Sequence, residues 1–219
     1  MVRDGFFYAF GLGVVAAALW YMNMPVWLVA LPIVLAAFFL WFFRDPNRTI
    51  PQGAGQVVSP GDGVVTEAEW IETISGSRLR LSIFLNVFDV HVNRAPVGGV
   101  VKVCEFRKGQ FMNAMKPESV LNNEQTLITI DAGGYEVSFK QIAGLLARRI
   151  VCNLKVGDRV ERGQRMGLIK FGSRVDVLIP AEANLKVKTG ARVKGGSTVL
   201  AVLPGIPVQA KSAAMAVVA

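Results

Sequence analysis

The sequence is short of the residues that build metal sites and disulfide frameworks. Its 219 residues contain one histidine, His91, and two cysteines, Cys104 and Cys152, which stand far apart without a CxxC neighbour. A structural zinc site needs about four cysteine or histidine ligands, and a disulfide framework needs an even set of spaced cysteines. The sequence therefore predicts no metal site and two reduced thiols, as is usual in a cytosolic environment.

Charge is absent from a long stretch near the amino terminus. No charged residue occurs between Gly5 and Phe43, and this run divides at the motif YMNMP. Each half, about 5–22 and 26–43, would be ~27 Å long as a helix, close to the ~30 Å of a bilayer core. The pattern predicts a hydrophobic helical hairpin within residues 1–48 and attachment to a membrane. Length alone leaves open whether the hairpin spans the bilayer or only dips into it.

The charges around this hairpin predict its orientation and its surroundings. Arg3 precedes the first segment, Arg44 and Arg48 follow the second, and the turn between the segments is uncharged. Because basic flanks stay on the cytoplasmic side, the rest of the chain is predicted on the cytoplasmic face of the cell membrane. The net charge of +8 favours an anionic lipid surface. Nucleic acid is not an expected partner, since no stacking pattern or recognisable module accompanies the charge.

Residues 49–219 have the pattern of a β-rich domain. Runs such as RLRLSIF and YEVSFK alternate between glycine turns, which is typical of strands, and no comparable window keeps a helical period. Residues 154–172 and 185–203 echo each other, because both contain LKV, a Gly-x-Arg-Val step and an apolar strand. This echo looks like the paired hairpins of a biotinyl/lipoyl-type barrel. The predicted fold is β-dominant and barrel-like, behind the N-terminal hairpin.

Three residues supply the side chains of a Ser-His-Asp set. Ser197 follows Gly196 in VKGGSTVLAV, where glycines interrupt a strand-like run. His91 alternates with valines in NVFDVHVNRAP, so its ring should lie on the opposite face, and histidine is the natural general base near pH 7. Asp62 lies in the turn SPGDG. Such a set can orient a base, deprotonate a hydroxyl and attack a carbonyl, although each residue alone also fits a turn or packing position.

The apolar hairpin, FFRDPNRTIP, SPGDG, FDVHVNRAP and the C-terminal GGST together resemble the short, membrane-bound form of the phosphatidylserine decarboxylase family over nearly the whole chain. The resemblance implies self-cleavage between Gly196 and Ser197. It implies a β chain of residues 1–196 and an α chain of residues 197–219, held as a heterodimer whose further oligomeric state is left open.

The resemblance also implies the chemistry. Ser197 would become a pyruvoyl group, with His91 as the base of the self-cleavage and Asp62 orienting it. The pyruvoyl ketone would form a Schiff base with the amino group of phosphatidylserine and carry the loss of CO₂, giving phosphatidylethanolamine. Arg94, three residues after His91, is predicted to meet the substrate phosphate or carboxylate, although a surface arginine fits equally well.

Two departures and three alternatives accompany this interpretation. Many longer family members have LGST where this chain has GGST, and a second histidine where this chain has Phe88. The same head-group chemistry would also fit an archaetidylserine-type lipid. A non-enzymatic, membrane-anchored barrel would act as a carrier or adaptor with Lys170 as its modified or inert lysine. An ordinary hydrolase would use Ser197 on external substrates, and either of the last two would leave the chain uncut.

Overall fold

The computed structural model describes residues 2–73, 76–115, 118–145, 149–170 and 172–205. It begins with two packed helices, α1 (Arg3–Tyr21) and α2 (Val26–Phe42). The turn between them contains Asn23 with φ of 53°, a left-handed conformation that asparagine tolerates better than most residues. The predicted hydrophobic hairpin is therefore confirmed.

The two helices make their closest contact at the end that leads into the rest of the chain. A Cβ atom on Gly5 would lie 2.7 Å from the Cβ of Phe43, so the approach requires glycine. The Tyr8 ring stacks on Phe39 and Phe43, with centroids 5.0 Å and 5.8 Å away. Among the described residues, α1 is the one helix both long and apolar enough to cross a membrane, and α2 is shorter, at 17 residues. These features support membrane association.

The remainder of the described chain is made mostly of strands, with one short helix, α3 (Ser119–Asn122). The strands, in chain order, are β1 (Gln56–Val58), β2 (Gly63–Thr73), β3 (Gly76–Leu85), β4 (Val92–Arg94), β5 (Gly99–Arg107), β6 (Gln125–Asp131), β7 (Glu136–Ala143), β8 (Ile150–Cys152), β9 (Arg159–Val160), β10 (Arg165–Ile169), β11 (Ser173–Pro180), β12 (Asn184–Leu185), β13 (Arg192–Val193) and β14 (Val199–Val202).

These strands form one large and two small antiparallel sheets. The eight-stranded sheet has the order β13-β2-β3-β11-β7-β6-β5-β9, and the three-stranded sheets have the orders β4-β10-β8 and β1-β14-β12. The large sheet curls into half a barrel. Its inner face carries the alternating apolar side chains, for example Leu81 and Ile83 on β3 opposite Val177 and Val175 on β11, all fully buried. The predicted β-dominant, barrel-like class is confirmed.

The sequence echo corresponds to a pseudo-twofold arrangement of strands. Each copy supplies a two-residue strand at one edge of the large sheet, β9 beside β5 and β13 beside β2. Each copy then supplies the central strand of a small sheet, β10 between β4 and β8 and β14 between β1 and β12. The turns that join β9 to β10 and β13 to β14 are therefore structural equivalents.

Candidate active site

The Gly196–Ser197 bond lies in the tight turn between β13 and β14. Gly196 has φ of 77° and donates its N–H to the Ser59 carbonyl at 2.7 Å, while the Ser197 N–H bonds the Lys194 carbonyl at 3.1 Å. A Cβ atom on Gly196 would come within 2.8 Å of the Arg94 Cδ atom. Both the backbone angle and the close neighbour therefore require glycine immediately before the serine.

The equivalent turn after β9 has the same backbone geometry around Gly163. Gly163 has φ of 78° and donates to the Ala95 carbonyl at 2.8 Å, and the Gln164 N–H bonds the Glu161 carbonyl at 3.0 Å. Gln164 takes the place of Ser197, so this second turn has no hydroxyl that could attack the preceding carbonyl. The molecule therefore carries two turns of one shape, of which one has a hydroxyl side chain directly after the glycine.

Asp62 lies against the serine turn rather than against the histidine. Its Oδ1 atom accepts the Gly195 N–H at 2.8 Å, and its Oδ2 atom accepts from Arg48 Nη2 at 2.7 Å. The predicted orienting contact between Asp62 and His91 is not present among the described residues, where the His91 ring nitrogens instead contact the Asp89 carbonyl and the Gly172 N–H. The structure brings Asp62 to the serine turn, where it contacts Gly195.

His91 is buried beneath the end of the helical hairpin. Its side chain is 2% exposed, and its ring lies 4.5 Å from the Phe42 ring, centroid to centroid. Nδ1 is 3.0 Å from the Asp89 carbonyl, and Nε2 lies 3.3 Å from the Gly172 N–H that points at it. A carbonyl partner on Nδ1 and a donor on Nε2 together assign the neutral tautomer with the proton on Nδ1.

Burial keeps this histidine neutral over most of the pH range. Desolvation lowers the pKa of His91 from 6.5 to about 4, opposed by the Asp89 carbonyl and assisted by the positive charge of Arg44. A neutral imidazole can accept a proton at pH 7, as a general base must. No hydrogen bond joins His91 to Ser197 in the described residues. The histidine segment and the serine turn both contact the SPGDG turn: the Arg94 N–H of β4 bonds the Pro60 carbonyl, 2.9 Å away, and the Gly195 N–H bonds Asp62.

The lowered pKa predicts a specific loss of stability in acid. Between about pH 6.5 and pH 4 the unfolded chain binds a proton at His91 that the folded chain does not, so the free energy of unfolding falls as the pH falls through this window. Thermal unfolding of Ser197→Ala protein, measured from pH 7.5 to 4.5, should therefore show a steeper loss of Tm than the same protein carrying His91→Gln. Parallel pH dependences of the two proteins would contradict the assignment.

Arg94 is an internal anchor in the structure. It is 6% exposed, and its guanidinium donates to Asp45 Oδ1 at 3.0 Å, the Pro46 carbonyl at 3.2 Å and the Gly163 carbonyl at 3.1 Å. Its aliphatic stem packs on Gly196. Arg94 therefore has a structural role, because it contacts both equivalent turns. This placement does not support the predicted contact with the substrate.

Lys170 is likewise engaged within the molecule. Its ammonium lies 3.1 Å from Asp4 Oδ2 on α1 and 5.9 Å from the centroids of the Tyr8 and Phe43 rings. The side chain is 13% exposed. A carrier lysine needs an exposed position at a hairpin tip, so this largely buried, ion-paired lysine argues against the carrier alternative.

The sequence interpretation missed the contribution of the segment that joins the hairpin to the barrel. We call residues 44–54 the strap. The strap has no helix or strand, and its charged side chains bind the domain at separate points: Arg44 bonds the Phe88 carbonyl at 2.6 Å, and Arg48 binds Asp62. The charges in FFRDPNRTIP were a signal of this role, but the sequence alone suggested only a membrane flank.

An exposed arginine also connects the serine turn to the histidine segment. Arg192, in β13, donates to Asp89 Oδ1, 2.6 Å away. Asp89 is buried and supplies the carbonyl that meets His91 Nδ1. The two halves of the predicted site are therefore joined through Arg192 and Asp89 rather than through Asp62.

The fold and the site define a β-rich domain behind an apolar helical hairpin, with a buried histidine and a tight glycine–serine turn. A family model described as phosphatidylserine decarboxylase matches residues 35–201. The chain belongs to the phosphatidylserine decarboxylase family.

Individual relatives resemble the chain over most of its length. A phosphatidylserine decarboxylase proenzyme of Solibacter usitatus is 47% identical over 202 residues, covering 92% of this chain and 96% of the relative. A proenzyme of the same description from Symbiobacterium thermophilum is 48% identical over 174 residues, 78% of this chain and 81% of the relative. A third, from Polynucleobacter asymbioticus, is 40% identical, with 94% and 96% covered.

Proposed function

We propose that this protein removes CO₂ from phosphatidylserine to give phosphatidylethanolamine, after cutting itself between Gly196 and Ser197. The relatives are phosphatidylserine decarboxylases and are described as proenzymes, a term for a precursor that must be processed. The observation that carries the proposal is the serine turn itself. Ser197 follows a glycine held at φ of 77°, and its hydroxyl has no hydrogen-bond partner among the described residues.

The turn supplies the groups that self-cleavage requires. The Ser197 Oγ atom attacks the Gly196 carbonyl carbon, the C–N bond breaks, and the acyl group moves to oxygen as an ester with a free amine on Ser197. Removal of the Ser197 α-proton then expels the Gly196 carboxylate and leaves dehydroalanine. Its enamine tautomerises and takes up water, which releases ammonia and leaves a pyruvoyl group on the 197–219 chain.

His91 is the residue proposed to take the serine proton. It is neutral at pH 7 because its pKa is about 4. Its Nε2 lone pair accepts the Gly172 N–H in a long contact of 3.3 Å, which must break before the ring takes the serine proton. The strong desolvation that lowers this pKa also makes His91 a weaker base than an exposed imidazole. The proposal therefore includes a movement of the ring away from Phe42 and toward the serine turn.

A pyruvoyl group at position 197 would supply a carbonyl that acts as the electron sink for decarboxylation of an amine substrate. The residues around position 197 fit such a group. Gly195 and Gly196 are buried while Ser197 is partly exposed, so a carbonyl there can be reached from outside. Asp62 also fixes the position of Gly195, because it accepts the Gly195 N–H.

The placement of the hairpin suits a lipid substrate. The end of α2 packs directly on His91 through Phe42, and Lys170 binds Asp4 near the start of α1. We propose that the hairpin holds the site at the level of the head groups on the cytoplasmic side of an anionic membrane, where phosphatidylserine is presented. The mature protein would then be the heterodimer of chains 1–196 and 197–219.

The test is the intact mass of the purified protein together with a lipid assay. We expect two chains that meet at Gly196 and Ser197, with the 23-residue chain resistant to Edman degradation and carrying the mass of a pyruvoyl end. Vesicles that contain phosphatidylserine should release CO₂, and matched vesicles that contain phosphatidylglycerol should not. An uncut chain, or cutting without CO₂ release, would overturn the proposal.

A further inference from the structure

We infer that Arg48 positions the scissile turn for self-cleavage by holding Asp62 against the Gly195 N–H. The inference rests on the proposed cleavage at Gly196–Ser197 and adds a residue to it. Arg48 Nη2 lies 2.7 Å from Asp62 Oδ2, and Asp62 Oδ1 lies 2.8 Å from the Gly195 nitrogen. One carboxylate oxygen is fixed by the arginine, and the other is thereby directed at the Lys194–Gly195 peptide, two peptide bonds before Gly196–Ser197.

The environment of the ion pair favours a strong, directional interaction. The Arg48 and Asp62 side chains are 12% and 15% exposed, so water and salt screen the pair much less than they screen a surface pair. A hydrogen bond is stronger when its donor or its acceptor is ionised. This applies both to the bond between Arg48 and Asp62 and to the bond from the Gly195 N–H to the Asp62 carboxylate. The row of contacts from Arg48 through Asp62 to Gly195 is therefore well suited to fix the position of the turn.

The equivalent turn shows that the carboxylate is not needed to give the turn its shape. Pro60 and Pro96 occupy matching places before β2 and β5, and Gly98 stands where Asp62 stands. In the part of the chain that the structure describes, no carboxylate accepts the Arg162 N–H, which is equivalent to the Gly195 N–H, yet the φ of 78° at Gly163 matches the 77° of Gly196. Because the same backbone forms without an aspartate, the Asp62 contact has a purpose beyond folding the turn.

The strap connects the Arg48–Asp62 ion pair to the membrane hairpin. α2 ends at Phe42, six residues before Arg48, and the strap is fixed to the domain again where Arg162 donates to the Pro51 and Gly53 carbonyls at 2.5 Å and 2.8 Å. Arg162 holds the strap without touching Asp62. It therefore offers a control that separates loss of the strap from loss of the ion pair.

The experiment measures the rate of self-cleavage in full-length chains made in a cell-free system with detergent, by the appearance of the 1–196 chain. Arg48→Met should cut at least about 10-fold more slowly than wild type, as expected for loss of one charged hydrogen bond. Arg48→Lys should recover part of the rate, since it restores the charge without the planar fork. Arg162→Met should cut at close to the wild-type rate.

A double-mutant cycle with Asp62→Asn tests whether Arg48 acts through Asp62. We expect Arg48→Met combined with Asp62→Asn to cut no more slowly than Asp62→Asn alone. An equal further slowing on the Asp62→Asn background, or equal slowing by Arg162→Met, would overturn the inference. A wild-type chain that stays uncut would instead overturn the proposed function. Wild-type cutting with an unaffected Arg48→Met chain would overturn the inference alone.

Discussion

Replacing Ser197 with alanine is expected to leave a single uncut chain of 219 residues with no measurable decarboxylation. The substitution removes the oxygen that attacks the Gly196 carbonyl, and no other step can then form the pyruvoyl group. The expected loss is complete rather than partial, because the same atom is needed for the cut and for the reactive group. Intact mass and CO₂ release from phosphatidylserine vesicles are the measurements.

Thr198→Val is the matched control for this experiment. The Thr198 hydroxyl accepts the Lys194 N–H at 2.9 Å, so it supports the turn but is not aligned to attack. We expect Thr198→Val protein to be cut, at a rate within about 10-fold of wild type given the loss of one neutral hydrogen bond. If both substitutions stop cleavage equally, the serine is needed for the shape of the turn and not as the nucleophile. Cutting of Ser197→Ala protein would exclude self-cleavage by this residue.

Replacing His91 with alanine is expected to slow self-cleavage by about 10²- to 10⁴-fold, the usual contribution of a positioned general base. The ring is 2% exposed and packs on Phe42, so its removal leaves a cavity that imidazole can enter. Added imidazole should restore part of the cleavage rate. The measurement is the time course of chain 1–196 in detergent, with and without imidazole.

Phe42→Leu distinguishes the chemical role of His91 from its packing role. This substitution disturbs the same contact but removes no proton acceptor, and it should leave most of the cleavage rate. Slow cleavage in Phe42→Leu, together with no rescue of His91→Ala by imidazole, would assign His91 a packing role. Wild-type rates in His91→Ala protein would show that another group takes the serine proton.

The local sequence pattern was sufficient to predict the helices, the strands and the serine turn. The uncharged run predicted the hairpin because membrane helices exclude charge, and period-two alternation predicted the strands of the curled sheet. The echo between residues 154–172 and 185–203 predicted paired hairpins, and the structure shows it as two equivalent edge strands and two equivalent central strands. In these cases the signal lies within a few neighbouring residues.

The partners inside the site were beyond the reach of local pattern. Alternation predicted that His91 faces away from Val90 and Val92, yet all three are buried, because the end of α2 covers the face that a bare strand would leave exposed. The partner of Asp62 was assigned from the chemistry of a triad. Its actual partners, Arg48 and the Gly195 N–H, are brought to it only when the strap and the β13–β14 turn close over the SPGDG loop.

The central position of β14 has a consequence for the protein after the proposed cut. β14 would then belong to the small chain, while β1 and β12, which pair with it on either side, would belong to the large one. Leu200 and Ala201 are fully buried, so the small chain would serve as a donated strand that fills a groove in its partner. Processing would leave the sheet β1-β14-β12 intact. Unfolding, however, would let the small chain and the large chain diffuse apart. The persistence of the mature protein would then depend on how slowly it opens rather than on a reversible equilibrium.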